Sequence, residues 1–179
     1  MALKPTIYKF EINLSDLDRG VYDQLNLTVA QHPSESVERM MARILAFCCN
    51  AGPGVQFTKG VSATDEPDIW QHDLSGQLQL WIDIGEPSFD RIKKSARQSG
   101  QLKIYSINTK SDIWWSKTED KVRTLPIEVF QLQWTELVAL AKLVDRTNLL
   151  HITIADNECF VSSSSGDAAL TLKTLLSNL

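Results

Sequence analysis

One stretch, Gln77-Leu-Gln-Leu-Trp-Ile-Asp-Ile84, constrains the fold more than any other. Strict alternation puts Leu78, Leu80, Ile82 and Ile84 on one face of a strand and Gln79, Trp81 and Asp83 on the other. Gly85 and Pro87 end the strand, and a helix follows from about Ser88 to Gln98, with Phe89, Ile92 and Ala96 on its inner stripe. A second apolar run, Leu102–Ile107, completes the unit. Strand, helix and strand in that order predict a right-handed parallel crossover, which makes part of the sheet parallel and covers it with helix.

The flanking segments fit around that unit. Alternation over Thr6–Leu14 and Val21–Val29, joined by a polar link containing Gly20, predicts an N-terminal β-hairpin. Pro33 stops the second strand, and Ser34 and Glu35 predict the capped start of a helix over about Glu35–Cys49, with one broad buried face. Short extended pieces are expected near Val55 and Ile69. A helix through Trp114 and Trp115, a strand at Ile127–Leu132, a helix at Thr135–Val144 and paired strands at Leu150–Ile154 and Cys159–Ser162 follow, with a turn at Ser162–Gly166. No repeat or linker divides the 179 residues, so a single domain of mixed α/β (α+β) class is expected.

The charge narrows the function classes. With 18 Lys+Arg against 22 Asp+Glu the net charge is −4, so contact with nucleic acid must rest on a local cationic patch. The three cysteines, two of them adjacent at 48 and 49, read as reduced thiols, and no Cys/His spacing suggests zinc. No run approaches a membrane span or a leader's apolar region, so a cytoplasmic protein is expected. Phosphate-loop, dinucleotide-binding and nucleophile-elbow motifs are absent, and the three histidines are scattered.

Acidic groups remain. Glu38 lies at the edge of the first helix's apolar face, Asp68 follows Pro67 on an extended piece, and Asp83 shares a strand face with Trp81. These carboxylates can converge on a hard divalent cation such as Mg²⁺. They can equally be a boundary charge, a turn residue and a strand-end acceptor. Arg91 and Arg97 on the helix after Pro87, and Lys103 on the next strand, can grip a phosphate backbone or line a solvated face. Trp114 and Trp115 can stack bases or pack a core.

The segments MALKPTIYKFEINLSDLDR, HPSESVERMMARILAF, DEPDIW and LWIDIGEPSFDRIKK resemble the bacterial YaeQ family over nearly the whole chain. The arrangement of Pro67-Asp68, a strand ending at Asp83 and a lysine-bearing helix resembles the PD-(D/E)xK nuclease superfamily. That resemblance implies a restriction-endonuclease-like fold: one nuclease-like domain over 1–179, with a central mixed sheet flanked by helices. It also implies a metal site formed by Asp68, Asp83 and Glu38 that holds Mg²⁺, or Mn²⁺, for phosphodiester cleavage. The lysine expected two residues after Asp83 is replaced by Gly85, and the following helix offers Lys94 as catalytic substitute, with Lys93 the alternative by helical phase. The same departure implies the alternative, an inactive nuclease fold that binds nucleic acid or a protein partner.

Overall fold

The computed structural model describes residues 3–59 and 63–179. The chain divides into two compact units, one comprising residues up to Cys49 together with Gln133–Leu172, the other Asn50–Leu132 together with Lys173–Leu179.

In the first unit the expected hairpin forms from β1 (Thr6–Asp16) and β2 (Val21–Gln31), antiparallel from Thr6↔Gln31 to Asp16↔Val21. Parallel pairing joins β1 to β8 (Thr147–Ala155), and β8 pairs antiparallel with β9 (Glu158–Ser163). A further strand, β10 (Gly166–Ser177), pairs with β9 as far as Thr171 and was not expected from the sequence. Helix α1 (Val37–Asn50) differs from the expectation of one buried face, because Met40 through Cys48 are all buried. The reason lies in the composition of that stretch, whose only polar residue is Arg43.

The start of α1 also differs. Ser36, not Ser34, caps it by accepting from the Arg39 N–H at 3.1 Å, while the Ser34 hydroxyl contacts the His32 ring. Glu35 is buried and takes the Arg43 guanidinium on both oxygens at 2.7 Å and Arg39 at 2.9 Å. Arg43 also reaches the Ala30 carbonyl of β2, so this ion cluster pins α1 to the hairpin. Helix α4 (Trp134–Ala141) belongs to the same unit.

The second unit contains the predicted crossover. Its strands are β3 (Val55–Phe57), β4 (Ile69–His72), β5 (Leu78–Ile84), β6 (Gln101–Ser106) and β7 (Ile127–Leu132). The first three pair antiparallel, whereas β5–β6 and β6–β7 pair parallel, giving the mixed sheet order β7-β6-β5-β4-β3. Helices α2 (Phe89–Gln98) and α3 (Ser111–Val122) pack on one face of β5–β7, where Trp81, Leu102, Ile104, Ile127 and Val129 meet Ile92 and Val122. Trp114 and Trp115 pack against this core, their rings 5.8 Å apart, and the Trp114 indole N–H donates to the Pro87 carbonyl. No helix among the described residues is long and apolar enough to cross a membrane.

Candidate functional site

Asp83 points to the face of β5 that carries α2, because strand alternation places it with Trp81. Asp68 precedes β4. Ile69 pairs with Ile82, and the Asp68 N–H also donates to the Ile82 carbonyl at 2.9 Å, so Asp68 lies at the end of this strand pair, near enough for its charge to act on Asp83. Like charges so placed repel. Both are buried, at 6% and 4% exposure.

Each carboxylate is occupied. Asp68 Oδ2 accepts the Ile84 N–H at 2.8 Å and so satisfies the backbone where β5 ends. Asp83 accepts from Trp81 Nε1 at 3.0 Å, from Arg91 Nε at 2.9 Å and from Arg91 Nη2 at 3.0 Å. The guanidinium therefore grips Asp83 in the planar two-bond geometry that favours Arg over Lys. It also donates to the carbonyls of Thr64 and Glu66 and lies 5.7 Å from the Trp81 ring centroid. The Arg91 backbone is fixed as well, its N–H bonding the capping Ser88 hydroxyl at the head of α2.

Burial pushes the Asp83 carboxyl above its usual range, and the two bonds from Arg91 work against that rise while the charge of Asp68 adds to it. The bond to Asp83 raises the Arg91 guanidinium in turn. An arginine this basic holds its proton throughout the pH range of the folded protein.

The other expected site residues lie elsewhere. Lys93 and Lys94 are exposed and make no hydrogen bond or ion pair with a described residue, and Arg97 is exposed beside them. Helical phase explains the difference: Lys94 lies about 60° round the helix from Arg91 and one turn on, and Lys93 about 160° away. Arg91 is thus withdrawn from the cationic face and Lys103 lies on the opposite face of the sheet, where its amine donates to Asn50 Oδ1 at 2.9 Å and stands 3.7 Å from Glu128. Glu38 is half-buried in the first turn of α1, in the first unit, whereas Asp68 and Asp83 belong to the second. The partnership of Arg91 with Asp83 was missed by sequence reasoning. Its signal was position, since the first turn after Ser88 is the part of the helix nearest the strand end.

Gly85 has a physical reason to be glycine. Its φ is +124°, which L side chains rarely adopt, although the space a Cβ would enter is open. A lysine at this position is therefore barred by the backbone rather than by crowding.

Mg²⁺ requires near-octahedral oxygen ligands with room for its own waters. Both oxygens of Asp83 are held by the guanidinium, Asp68 serves the backbone, and among the described residues no three His, Cys, Asp or Glu side chains gather as a metal site. In this arrangement the pair does not fit a magnesium ion, and Arg91 supplies the positive charge on Asp83 instead.

Residues 1–172 match the family model described as YaeQ protein. The chain is 37% identical over 174 residues to the uncharacterized protein YaeQ of Escherichia coli (strain K12), and 38% identical to that of Salmonella typhi, with 96% of each chain covered in both comparisons. It is also similar to two crystal structures. That of the YaeQ protein from Xanthomonas axonopodis pv. citri aligns with a TM-score of 0.91 at 33% identity, over 97% of this chain and 99% of the other. That of the YaeQ protein from Pseudomonas syringae aligns at 0.90 and 32%, over 96% of each.

Proposed function

The chain belongs to the YaeQ family, and from that premise we propose that it is a PD-(D/E)xK nuclease-like protein that binds nucleic acid without cleaving it. The observation that carries this reading is the double hydrogen bond from Arg91 to Asp83. The antiparallel run β3-β4-β5 followed by α2 and the parallel strand β6, with Asp68 just before β4 and Asp83 near the end of β5, supports the superfamily assignment. Hydrolysis needs an oriented nucleophile and compensation for charge growing on the phosphate. Asp83 is engaged, Arg91 cannot accept a proton, Gly85 cannot be replaced by lysine without strain, and the amines of Lys93 and Lys94 face solvent. Those amines together with Arg97 supply the local cationic patch that a chain of net charge −4 needs to hold a phosphate backbone.

A second reading, a Mg²⁺- or Mn²⁺-dependent phosphodiesterase, is favoured by one observation: Asp83 remains an unfavourable buried carboxylate even with Arg91 beside it. The two readings part on one experiment. Labelled single-stranded DNA, duplex DNA and RNA are titrated with the protein at several salt concentrations, by fluorescence anisotropy, and then incubated with Mg²⁺ or Mn²⁺ and resolved on a gel. The binding reading expects affinity that falls with salt and intact oligonucleotide. Replacing Lys93, Lys94 and Arg97 together by alanine lowers the salt slope by about 2–3. Cleavage that disappears in Asp83→Asn would replace it with the second reading, and absence of binding to all three nucleic acids would remove it.

A further inference from the structure

Beyond the Asp68–Asp83 pair lies a second polar group at the carboxyl ends of the parallel strands, the place where open α/β sheets receive ligands. On β6 the inward positions run Leu102, Ile104 and then Ser106; on β7 they run Ile127, Val129 and then Gln131. Ser106 and Gln131 are register partners and are buried, at 0% and 5% exposure. The apolar alternation therefore gives way on both strands at the same level. Above them, Glu86 Oε2 accepts the Ser106 hydroxyl at 3.0 Å and the Ile107 N–H at 2.9 Å, with Asn108 N at 3.4 Å. All three donors converge on this one oxygen, and Glu86 Oε1 has no hydrogen-bond partner among the described residues. The Ser111 hydroxyl at the head of α3 meets that of Ser106.

Gln131 makes this group a site rather than a polar patch. Its Nε2 donates to Asp112 Oδ1 at 3.1 Å, and because a carboxylate can only accept, the amide orientation is fixed. The carboxamide is thereby held between β7 and the first turn of α3, beside the hydroxyl pair. Its Oε1 is the one buried side-chain oxygen or nitrogen without a hydrogen-bond partner among the described residues. Buried acceptors are ordinarily satisfied, so an orphan on an amide hydrogen-bonded to Asp112, one strand from the Ser106 that bonds Glu86, asks for a positive or donating group. Neither Glu86 nor Asp112 forms an ion pair with a described residue, so the local charge is negative and an anion is excluded. A set of carboxylate, amide and hydroxyl oxygens is the donor chemistry of hard cations, and Asp112 is exposed, which leaves a way in.

We propose that Glu86, Gln131 and Asp112, with the Ser106 hydroxyl, bind a hard divalent cation such as Ca²⁺ at the carboxyl ends of β6 and β7, separately from the Asp68–Asp83 pair. This inference goes beyond nucleic-acid binding and does not depend on it. The full chain, stripped of metal, is titrated with CaCl₂ and followed by calorimetry and thermal unfolding. The wild type and Asp83→Asn both gain about 5–10 °C in Tm at a hundredfold excess over Kd, whereas Glu86→Gln and Gln131→Met lose the gain. Gln131→Met removes the orphan oxygen at similar volume, so it decides the matter even where Glu86→Gln loosens its loop. Crystals soaked in MnCl₂ then give an anomalous peak between Glu86 and Gln131. No Ca²⁺-dependent gain in the wild type, a gain surviving in Gln131→Met, or a water alone on Gln131 with no anomalous signal overturns the proposal.

Discussion

Replacing Arg91 by methionine keeps much of the contact with Trp81 but strips Asp83 of both guanidinium bonds. Breaking a fully buried ion pair costs about 3–5 kcal/mol, because the remaining charge is left desolvated. The Asp83 side chain is 6% exposed, but that of Arg91 is 31% exposed, so solvent screens part of the interaction and about 2–3 kcal/mol is expected at pH 7. For a chain of this size that corresponds to a fall in Tm of about 5–10 °C. The pH dependence carries the diagnosis. The folded-state pKa of Asp83 is already raised above its unfolded value, so its contribution to stability is fully present below the unfolded pKa and is lost as pH rises through the folded pKa. Without Arg91 only the Trp81 hydrogen bond still opposes the rise, the folded pKa moves higher still, and ionised Asp83 penalises the variant more. Chemical denaturation from pH 4 to pH 8 should therefore show a wild-type-to-variant gap that is widest at neutral pH and narrows toward acid. In the Asp83→Asn background the same Arg91→Met change should cost less by about 1 kcal/mol or more, the remainder being the lost bonds to the Thr64 and Glu66 carbonyls. A gap independent of pH, or an equal cost in both backgrounds, would refute the assignment of Arg91 as the partner that opposes the effect of burial on Asp83.

Other outcomes follow from the same geometry. Arg43→Met in the buried Glu35 cluster should cost about 3 kcal/mol by urea unfolding, the low end for a broken buried pair because Arg39 still faces Glu35. Gly85→Lys should destabilise by about 1–3 kcal/mol through its positive φ and create no phosphodiesterase activity on the oligonucleotide panel. Burial pushes the Cys48 thiol up, and a hydrogen bond with Cys159 followed by burial does the same to Cys49, so both should resist iodoacetamide at pH 8 in the native protein and react once it is unfolded.

The sequence displayed the β5–α2–β6 unit clearly because alternation, Gly85, Pro87 and the Ser88 cap agree on the same boundaries. The hairpin was equally legible. The α1 cap was misassigned because two serines flank Glu35, and only the burial of Glu35 against Arg43 decides that the helix begins after the second. Strand β10 was missed although Leu170 and Leu172 alternate inward, since Gly166 and the serines before it read as a turn with nothing beyond. The approach of Asp68 to Asp83 depends on how β4 and β5 pair, which no local pattern encodes. The choice of Arg91 over the lysines depends on how far along α2 the strand end reaches, and that distance is fixed by packing. Ser106 and Gln131 were visible as polar interruptions of two apolar alternations, but their agreement in level appears only once β6 and β7 are paired.

The most direct test of the account is a crystal structure of the wild-type protein grown with excess Mn²⁺, read at the Asp83 corner by anomalous scattering. The account predicts no manganese between Asp68 and Asp83, with Arg91 Nε and Nη2 still bonded to the two Asp83 oxygens. A manganese ion bridging the two carboxylates, with the guanidinium turned away, would contradict it.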